Sequence, residues 1–413
     1  MIAYSSFKLE NGLQVFVHED HTNPLAVVNI LYNVGSRDEN PEKTGFAHLF
    51  EHLMFGGSAN VPVFDTPLQK VGGENNAFTS PDITNYYNVL PAANIETAFW
   101  LESDRMRALS FDPKVLEVQR KVVIEEFKQR YLNQPYGDVW LKLRPLAYQN
   151  HPYQWATIGK EISHIEDATM DDVKSFFYKF YVPNNAIMVV GGNVKLDQIK
   201  KLTEKWFGDI PSGIKYLRNL PKEAKQTQKR TLINESKVPS NAIYKAFKMG
   251  KRLDSDFYAH DLLSDILGRG QSSRLYQKLV RDKKIFSSIS SYCIASLDEG
   301  LFMVEGKLNN GVTFEDAELG IESEIKNITF DVIDTELEKV KNQAETYMEM
   351  SETELLNRCM NIAFSANMGD VSLVNKESTL LQAVSADEIK NAVKNTLIES
   401  NSSVLYYQSI KEN

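Results

Sequence analysis

The sequence predicts an α+β protein built from two homologous domains, and three observations lead there. Strand-like and helix-like segments alternate along the whole chain. Its 413 residues exceed what one ordinary core organises, so two domains of about 200 residues each are the natural division. The second half also repeats the order of the first.

Residues 7–18 form a hairpin that turns at Asn11-Gly12, a strong turn dipeptide between β-formers. Leu25 to Val34 is a second β-rich run, which leads through the polar loop Gly35 to Thr44 into Gly45-Phe-Ala-His48-Leu-Phe-Glu51-His52-Leu-Met-Phe-Gly56-Gly57. There the apolar residues at 46, 49, 50, 53 and 54 recur at helical spacing, and the glycine pair stops the helix. Gly72 to Ser80 and Thr84 to Leu90 read as adjacent strands, and 92–109 reads as a helix. Asp112-Pro113 opens another helix to about Arg130, with Asp at the cap and Pro at the first position. Thr169-Met-Asp-Asp172 resembles a capping box and starts a helix to about Phe180. A strand over Ala186 to Val190 and a helix over Leu196 to Phe207 complete this half.

From Pro211 to Lys229 the composition shifts to Pro, Lys and Gln with few apolar residues, which marks a linker. Beyond it, a shift of 212 residues carries His48 onto His260 and Gly56 onto Gly268. A shift of 219 carries Phe111-Asp112 onto Phe330-Asp331, and one of 216 carries Thr169 to Val173 onto Ser385 to Ile389. Three matches in order predict a duplicated fold. At the first shift Glu51 falls on Leu263 and His52 on Ser264, so only the first copy carries the polar triad. The expected boundaries are 1–210 for the first domain, 211–230 for the linker and 231–413 for the second domain.

Hydrophobic content of 42% and charged content of 24% fit a soluble globular protein. A net charge of -9 without a stripe of Lys and Arg argues against nucleic-acid binding. Cys293 and Cys359 are too far apart and too few to be a disulfide framework and are expected as buried thiols, which favours a reducing compartment. No run of 18 apolar residues predicts a membrane span, and the first residues show no signal peptide. These features predict a cytoplasmic chain, while leaving open a precursor whose upstream residues were removed.

On the helix at 46–54, residues three and four apart share a face, so His48 and His52 can converge on one ion with Glu51 beside them. The order is H-x-x-E-H, the reverse of the commoner zinc-peptidase helix H-E-x-x-H. Paired histidines also occur on ordinary helix faces. The glutamate in register, in a chain with only seven His, favours a metal site. A catalytic zinc takes three protein ligands and keeps a position for water, whose pKa it lowers to about 7. Glu51 is then the general base, and a third ligand must come from elsewhere. Glu125 and Glu126, carboxylates among apolar residues in Val122-Val-Ile-Glu-Glu-Phe127, are the best sources, and spacing alone does not choose between them. The other histidines, His151 and His164 among them, are expected to be structural or exposed.

His48-Leu-Phe-Glu51-His52-Leu-Met-Phe-Gly, Gly72-Gly-Glu-Asn-Asn-Ala-Phe-Thr79-Ser, Val122-Val-Ile-Glu-Glu126, His151-Pro-Tyr and Tyr181-Val-Pro-Asn-Asn-Ala together resemble the pitrilysin/insulinase zinc peptidases, which include mitochondrial processing peptidase. The resemblance covers nearly the whole chain. It implies that each domain is a mainly antiparallel sheet packed with helices. It also implies one zinc ion (Zn2+) per chain, with Glu126 as the distal ligand and 73 residues between it and His52. A chamber formed by two such units would hold a peptide, bound as an added strand along Asn76, Ala77, Phe78 and Thr79. Backbone hydrogen bonding of that kind gives affinity without demanding a sequence.

The chain departs from the family pattern at two positions. Many relatives carry a glutamate seven residues before the distal ligand, where this chain has Gln119, a hydrogen-bonding neighbour without charge. In the second domain Arg274 matches an arginine that holds substrate together with a tyrosine thirteen residues on, and that tyrosine is Ser287 here. The resemblance therefore implies a zinc endopeptidase acting as a homodimer, or as a heterodimer with a related zinc-less subunit that supplies the missing clamp. A non-catalytic subunit that scaffolds a complex or presents substrate is the alternative. A small-molecule lyase with the same H-x-x-E-H order would leave the duplication unexplained.

Overall fold

A computed structural model describes residues 1–331 and 334–410. The last three residues of the expected second domain lie outside the described residues.

By packing, the chain divides into two units. The first comprises Met1–Lys128, Trp155–Leu220 and Glu349–Lys376, and the second Gln129–Gln154, Pro221–Met348 and Glu377–Asn413. The passage from one to the other at Leu220 and Pro221 falls inside the expected linker, which has no regular structure from 211 to 229. The units are not contiguous along the chain, as the expected boundaries were: 129–154 packs with the second unit and 349–376 with the first. Apolar helix faces explain the exchange. Helix Leu355–Asn367 buries Leu355, Cys359, Ile362 and Ala363 against Phe16, Val27, Leu31 and Val189 of the first sheet. Helix Val139–Ala147 buries Val139, Leu143 and Ala147 against Ala242, Met303 and Leu405 of the second. At about 1.5–3 kcal/mol for each large apolar side chain removed from water, such faces decide where a helix packs.

The first sheet has six strands in the order β1-β2-β6-β3-β5-β4. They are β1 Ser5–Lys8, β2 Gln14–Glu19, β3 Leu25–Tyr32, β4 Glu74–Thr79, β5 Thr84–Pro91 and β6 Ala186–Gly192. All neighbours are antiparallel except β2 and β6. The second sheet runs β7-β11-β8-β10-β9, with β7 Arg230–Ser236, β8 Ala242–Lys248, β9 Phe286–Ile294, β10 Leu301–Leu308 and β11 Ser402–Ser409. Its one parallel pair is β7 and β11. Without β1, the first order becomes β2-β6-β3-β5-β4 and matches the second strand for strand, including the position of the parallel pair. Both units are α+β, with a mixed, mainly antiparallel sheet packed with helices.

The local signals act where the sequence places them. Gly12 holds φ +96 in the β1–β2 turn, where a Cβ would stand 2.7 Å from Asn184 Cβ. Asp112 caps helix Pro113–Phe127 by accepting the Lys114 N–H at 2.8 Å. Thr169 and Ser385 each form a capping box, with Asp172 and Glu388, so the repeated signature is structural in both halves. Cys359 is buried, Cys293 half-buried, and the two form no disulfide.

Candidate metal centre

Helix Phe46–Leu53, the motif helix, buries Phe46, Ala47, Leu49, Phe50 and Leu53. Phe50 stacks on Phe176 and Tyr181, with ring centroids 4.8 and 5.3 Å away. That apolar face fixes the helix rotation and leaves His48, Glu51 and His52 half-buried on the other side. The His48 and His52 rings lie edge to face with centroids 4.9 Å apart, as i,i+4 neighbours on one helix should.

The last turn of helix Pro113–Phe127 packs on the motif helix and places Glu126 there. Its Oε2 is 3.7 Å from His48 Nε2 and 3.5 Å from His52 Nε2. Two ligands bound to zinc at about 2.0–2.2 Å with a tetrahedral angle stand roughly 3.3–3.6 Å apart, so this spacing fits one ion. The ligand atoms of all three residues lie within 4.8 Å of one another, and among the described residues they form the one cluster able to hold a metal. Two imidazoles and a carboxylate are a zinc-type donor set that leaves a position open. Glu125 is exposed on the same helix, so helix rotation separates the two glutamates that spacing left open. Gln119 lies half-buried two turns before Glu126.

Glu51 is held by β4: Thr79 Oγ1 donates to its Oε2 at 2.5 Å. Sequence reasoning placed Thr79 on a substrate strand and missed this contact. β4 is an edge strand, hydrogen-bonded among the described residues only to β5. Ser80 N–H donates to Ile83 O at 2.8 Å, which sets the phase of the antiparallel ladder. By alternation, Asn76 and Phe78 bond across to Tyr87 and Asn85, while the backbone groups of Asn75, Ala77 and Thr79 face away from β5. The Asn76 carboxamide oxygen accepts the outward Ala77 N–H at 2.8 Å.

A second feature absent from the sequence reading is Glu39, in the polar loop before the motif helix. It is buried, and its carboxylate accepts N–H groups from Gly45 at 2.9 Å, Ala47 at 2.8 Å and the Trp155 indole at 3.1 Å. Burial pushes its carboxyl up to about 8 against the pull of those donors. The signal available was a charged run, Ser36-Arg-Asp-Glu39, leading into a helix with no capping side chain of its own.

The matching helix of the second unit, Phe257–Gly268, has no such site. His260 is buried between Asp256 O at 2.8 Å and Thr396 Oγ1 at 2.7 Å, and Leu263 is core. Arg274 grips Glu336 through Nε at 2.9 Å and Nη2 at 2.8 Å and donates to Asp331 O, while Ser287 bonds to Lys307 O at 3.1 Å. His164 bonds to Thr44, and buried His151 lies 3.3 Å from Asp298, both structural placements.

Comparison with known families decides the affiliation. The family model described as insulinase (peptidase family M16) matches residues 14–160, and the one described as peptidase M16 inactive domain matches 167–344. A zinc protease, PqqE, from Helicobacter pylori is 32% identical over 358 residues, 85% of this chain and 80% of that protein. The chain belongs to peptidase family M16. The beta subunit of the mitochondrial-processing peptidase of Saccharomyces cerevisiae is 28% identical over 209 residues, 50% of this chain and 45% of that one. The crystal structure of a protease from Helicobacter pylori matches with a TM-score of 0.92 at 27% identity, covering 99% of this chain and 100% of the other. An M16 inactive-domain structure from Pseudomonas fluorescens shares the fold, with a TM-score of 0.89 at 16% identity over 100% and 99% of the two chains. Among the described residues no helix is long and apolar enough to cross a membrane.

Proposed function

We propose that this M16 chain is a zinc-dependent endopeptidase that hydrolyses peptides or unfolded segments inside a chamber completed by a second subunit. The convergence of His48, His52 and Glu126 beside Glu51 carries the reading. Zinc held there supplies a Lewis acid for the scissile carbonyl and a lowered pKa for water. His48 and His52, whose Nε2 atoms face Glu126, would hold the ion together with the Glu126 carboxylate. Glu51, oriented by Thr79, takes a proton from the attacking water and passes it to the departing amine nitrogen. The outward backbone of Ala77 and Thr79 holds the substrate as an added strand, with Asn76 swinging off the Ala77 N–H to admit it. The zinc-protease names of relatives support the same reading.

The test is Glu51→Gln. The variant should keep one zinc per chain by elemental analysis and lose hydrolysis of an unstructured fluorogenic peptide. Hydrolysis by the zinc-loaded variant would remove Glu51 from the mechanism.

A second reading, a partner-dependent subunit that scaffolds or presents substrate, draws on the engagement of Arg274 with Glu336 and the serine at 287. The naming of relatives as subunits of a processing peptidase also favours it. Under it, the isolated chain binds zinc yet cleaves peptide only after a related zinc-less polypeptide is added. A homodimer active alone excludes it.

A further inference from the structure

The motif helix has an N-terminal problem that its own sequence cannot solve. Its cap residue, Gly45, holds φ +87, and a Cβ there would stand 2.6 Å from Ile158 O and 2.8 Å from Ile165 Cδ1. Serine, threonine, aspartate and asparagine, the usual capping residues, are therefore excluded on conformation and on space. The first N–H groups of a helix nevertheless need acceptors, the more so when buried.

Glu39, six residues upstream, meets that need from outside the helix. One carboxylate oxygen takes the Gly45 N–H and the other the Ala47 N–H, and Trp155 Nε1 steadies the group from the far side. Trp155 also donates to Ser36 O at 2.9 Å. Because Ala47 precedes His48, a carboxylate gripping its N–H sets where the ligand-bearing turn begins.

The same loop is tied to the β4–β5 turn. Ser36 N–H donates to Ser80 O at 3.2 Å, Arg37 N–H to Pro81 O at 3.0 Å, and Arg37 Nη1 lies 2.9 Å from Asp82 Oδ1 with both side chains largely buried. A short strap, 36–39, thus joins the start of the motif helix to the turn that follows Thr79.

We propose that Glu39 is a positioning residue for the metal centre: its carboxylate fixes the start of the motif helix and so holds His48 and Glu51 in register with Glu126 and with the edge strand β4. Glu39 acts through the helix backbone, by its bonds to the Gly45 and Ala47 N–H groups. The inference deepens the zinc-peptidase reading and rests on it for the catalytic consequence alone.

The experiment compares wild type with Glu39→Gln and with Asn11→Ala, a control that removes three buried hydrogen bonds in the same unit, two donated to Phe207 O at 2.7 Å and Ile210 O at 2.9 Å and one accepted from Leu13 N–H at 3.2 Å. In metal-free protein, amide exchange over 45–49 should quicken about tenfold in Glu39→Gln, the loss expected when one buried N–H is left without its acceptor, and stay unchanged in Asn11→Ala. Zinc affinity, read by chelator competition, should fall about tenfold, as for loss of an outer-sphere group, and kcat should fall with KM nearly constant. Trp155→Phe keeps both helix bonds and removes only the indole donor, so it decides the matter if Glu39→Gln does not fold. It should show a smaller change of the same sign. Exchange at 45–49 indistinguishable from wild type, or zinc affinity and kcat equal to those of the Asn11→Ala control, would overturn the proposal. A wild type that neither binds zinc nor cleaves peptide would sink the peptidase reading, while the exchange data would still decide the cap.

Discussion

Replacing Thr79 with valine probes how Glu51, the proposed base, is held. Valine has nearly the shape of threonine and keeps the β-branched backbone preference of a strand. Thr79 is half-buried at the end of β4, so the fold should survive. What disappears is the hydrogen bond from Oγ1 to Glu51 Oε2, 2.5 Å long. Hydrogen bonds to charged groups contribute about 1.5–3 kcal/mol. At 1.36 kcal/mol per decade of rate, full loss of the orientation lowers kcat by about 13- to 160-fold. Thr79 is not among the residues whose atoms converge for a metal, so zinc content should stay at one per chain. The assay is steady-state cleavage of an unstructured fluorogenic peptide, with zinc measured on the same samples and thermal melting as a fold check. A kcat within twofold of wild type, in folded and zinc-loaded protein, would refute the role assigned to Thr79. A fall in activity that tracked zinc loss would refute it equally.

Other substitutions test the remaining parts. Glu126→Gln should weaken zinc binding by more than the roughly 10–100-fold typical of outer-sphere changes, while Glu125→Gln, on the exposed side of the same helix, should leave a chelator-competition titration unchanged. Ala77→Pro removes an N–H that faces away from β5, so it should fold and raise KM by about 2- to 13-fold, the value of one backbone hydrogen bond; Phe78→Pro breaks the ladder to Asn85 and should lower the melting temperature instead. In the second unit burial pushes Glu318 up, but hydrogen bonds from Lys229, Lys245 and Tyr406 outweigh it and hold the carboxyl at about 2, below its ordinary 4.5. Its stabilising contribution is therefore present above pH 4.5 and lost as pH falls toward 2. Glu318→Gln should cost up to roughly 3 kcal/mol at neutral pH, the low end for breaking a buried pair because Glu322 still faces Lys245 at 2.7 Å, and the gap to wild type in urea melts should close toward pH 2.

The extent to which the site is legible in sequence follows from the range of each interaction. His48, Glu51 and His52 fall within one and a half helical turns, so periodicity alone aligns them. Glu125 and Glu126 are adjacent, and only the rotation of helix Pro113–Phe127, set by buried Leu116, Val123 and Phe127, turns one inward. Thr79 and Glu51 meet because β4 packs on the motif helix, a contact no spacing encodes. Glu39 was hidden for a different reason: a remote cap leaves no mark at the helix it serves beyond an unexplained glycine.

The sequence by itself determined the elements whose causes are local: the Asn11-Gly12 turn, the amphipathic motif helix, the proline-started helix before Glu126, and the paired capping boxes at Thr169 and Ser385. It also determined the duplication, since both copies keep the same signals in the same order. Tertiary structure decided the rest: the single parallel pair in each sheet, the exchange of 129–154 and 349–376 between units, the turning of Glu126 toward His48 and His52, and the remote carboxylate at the start of the motif helix. Local signals depend on dihedral preference and on neighbours within a turn or two. Which distant faces meet depends on how much apolar surface each can bury and on where the polar groups left behind find partners.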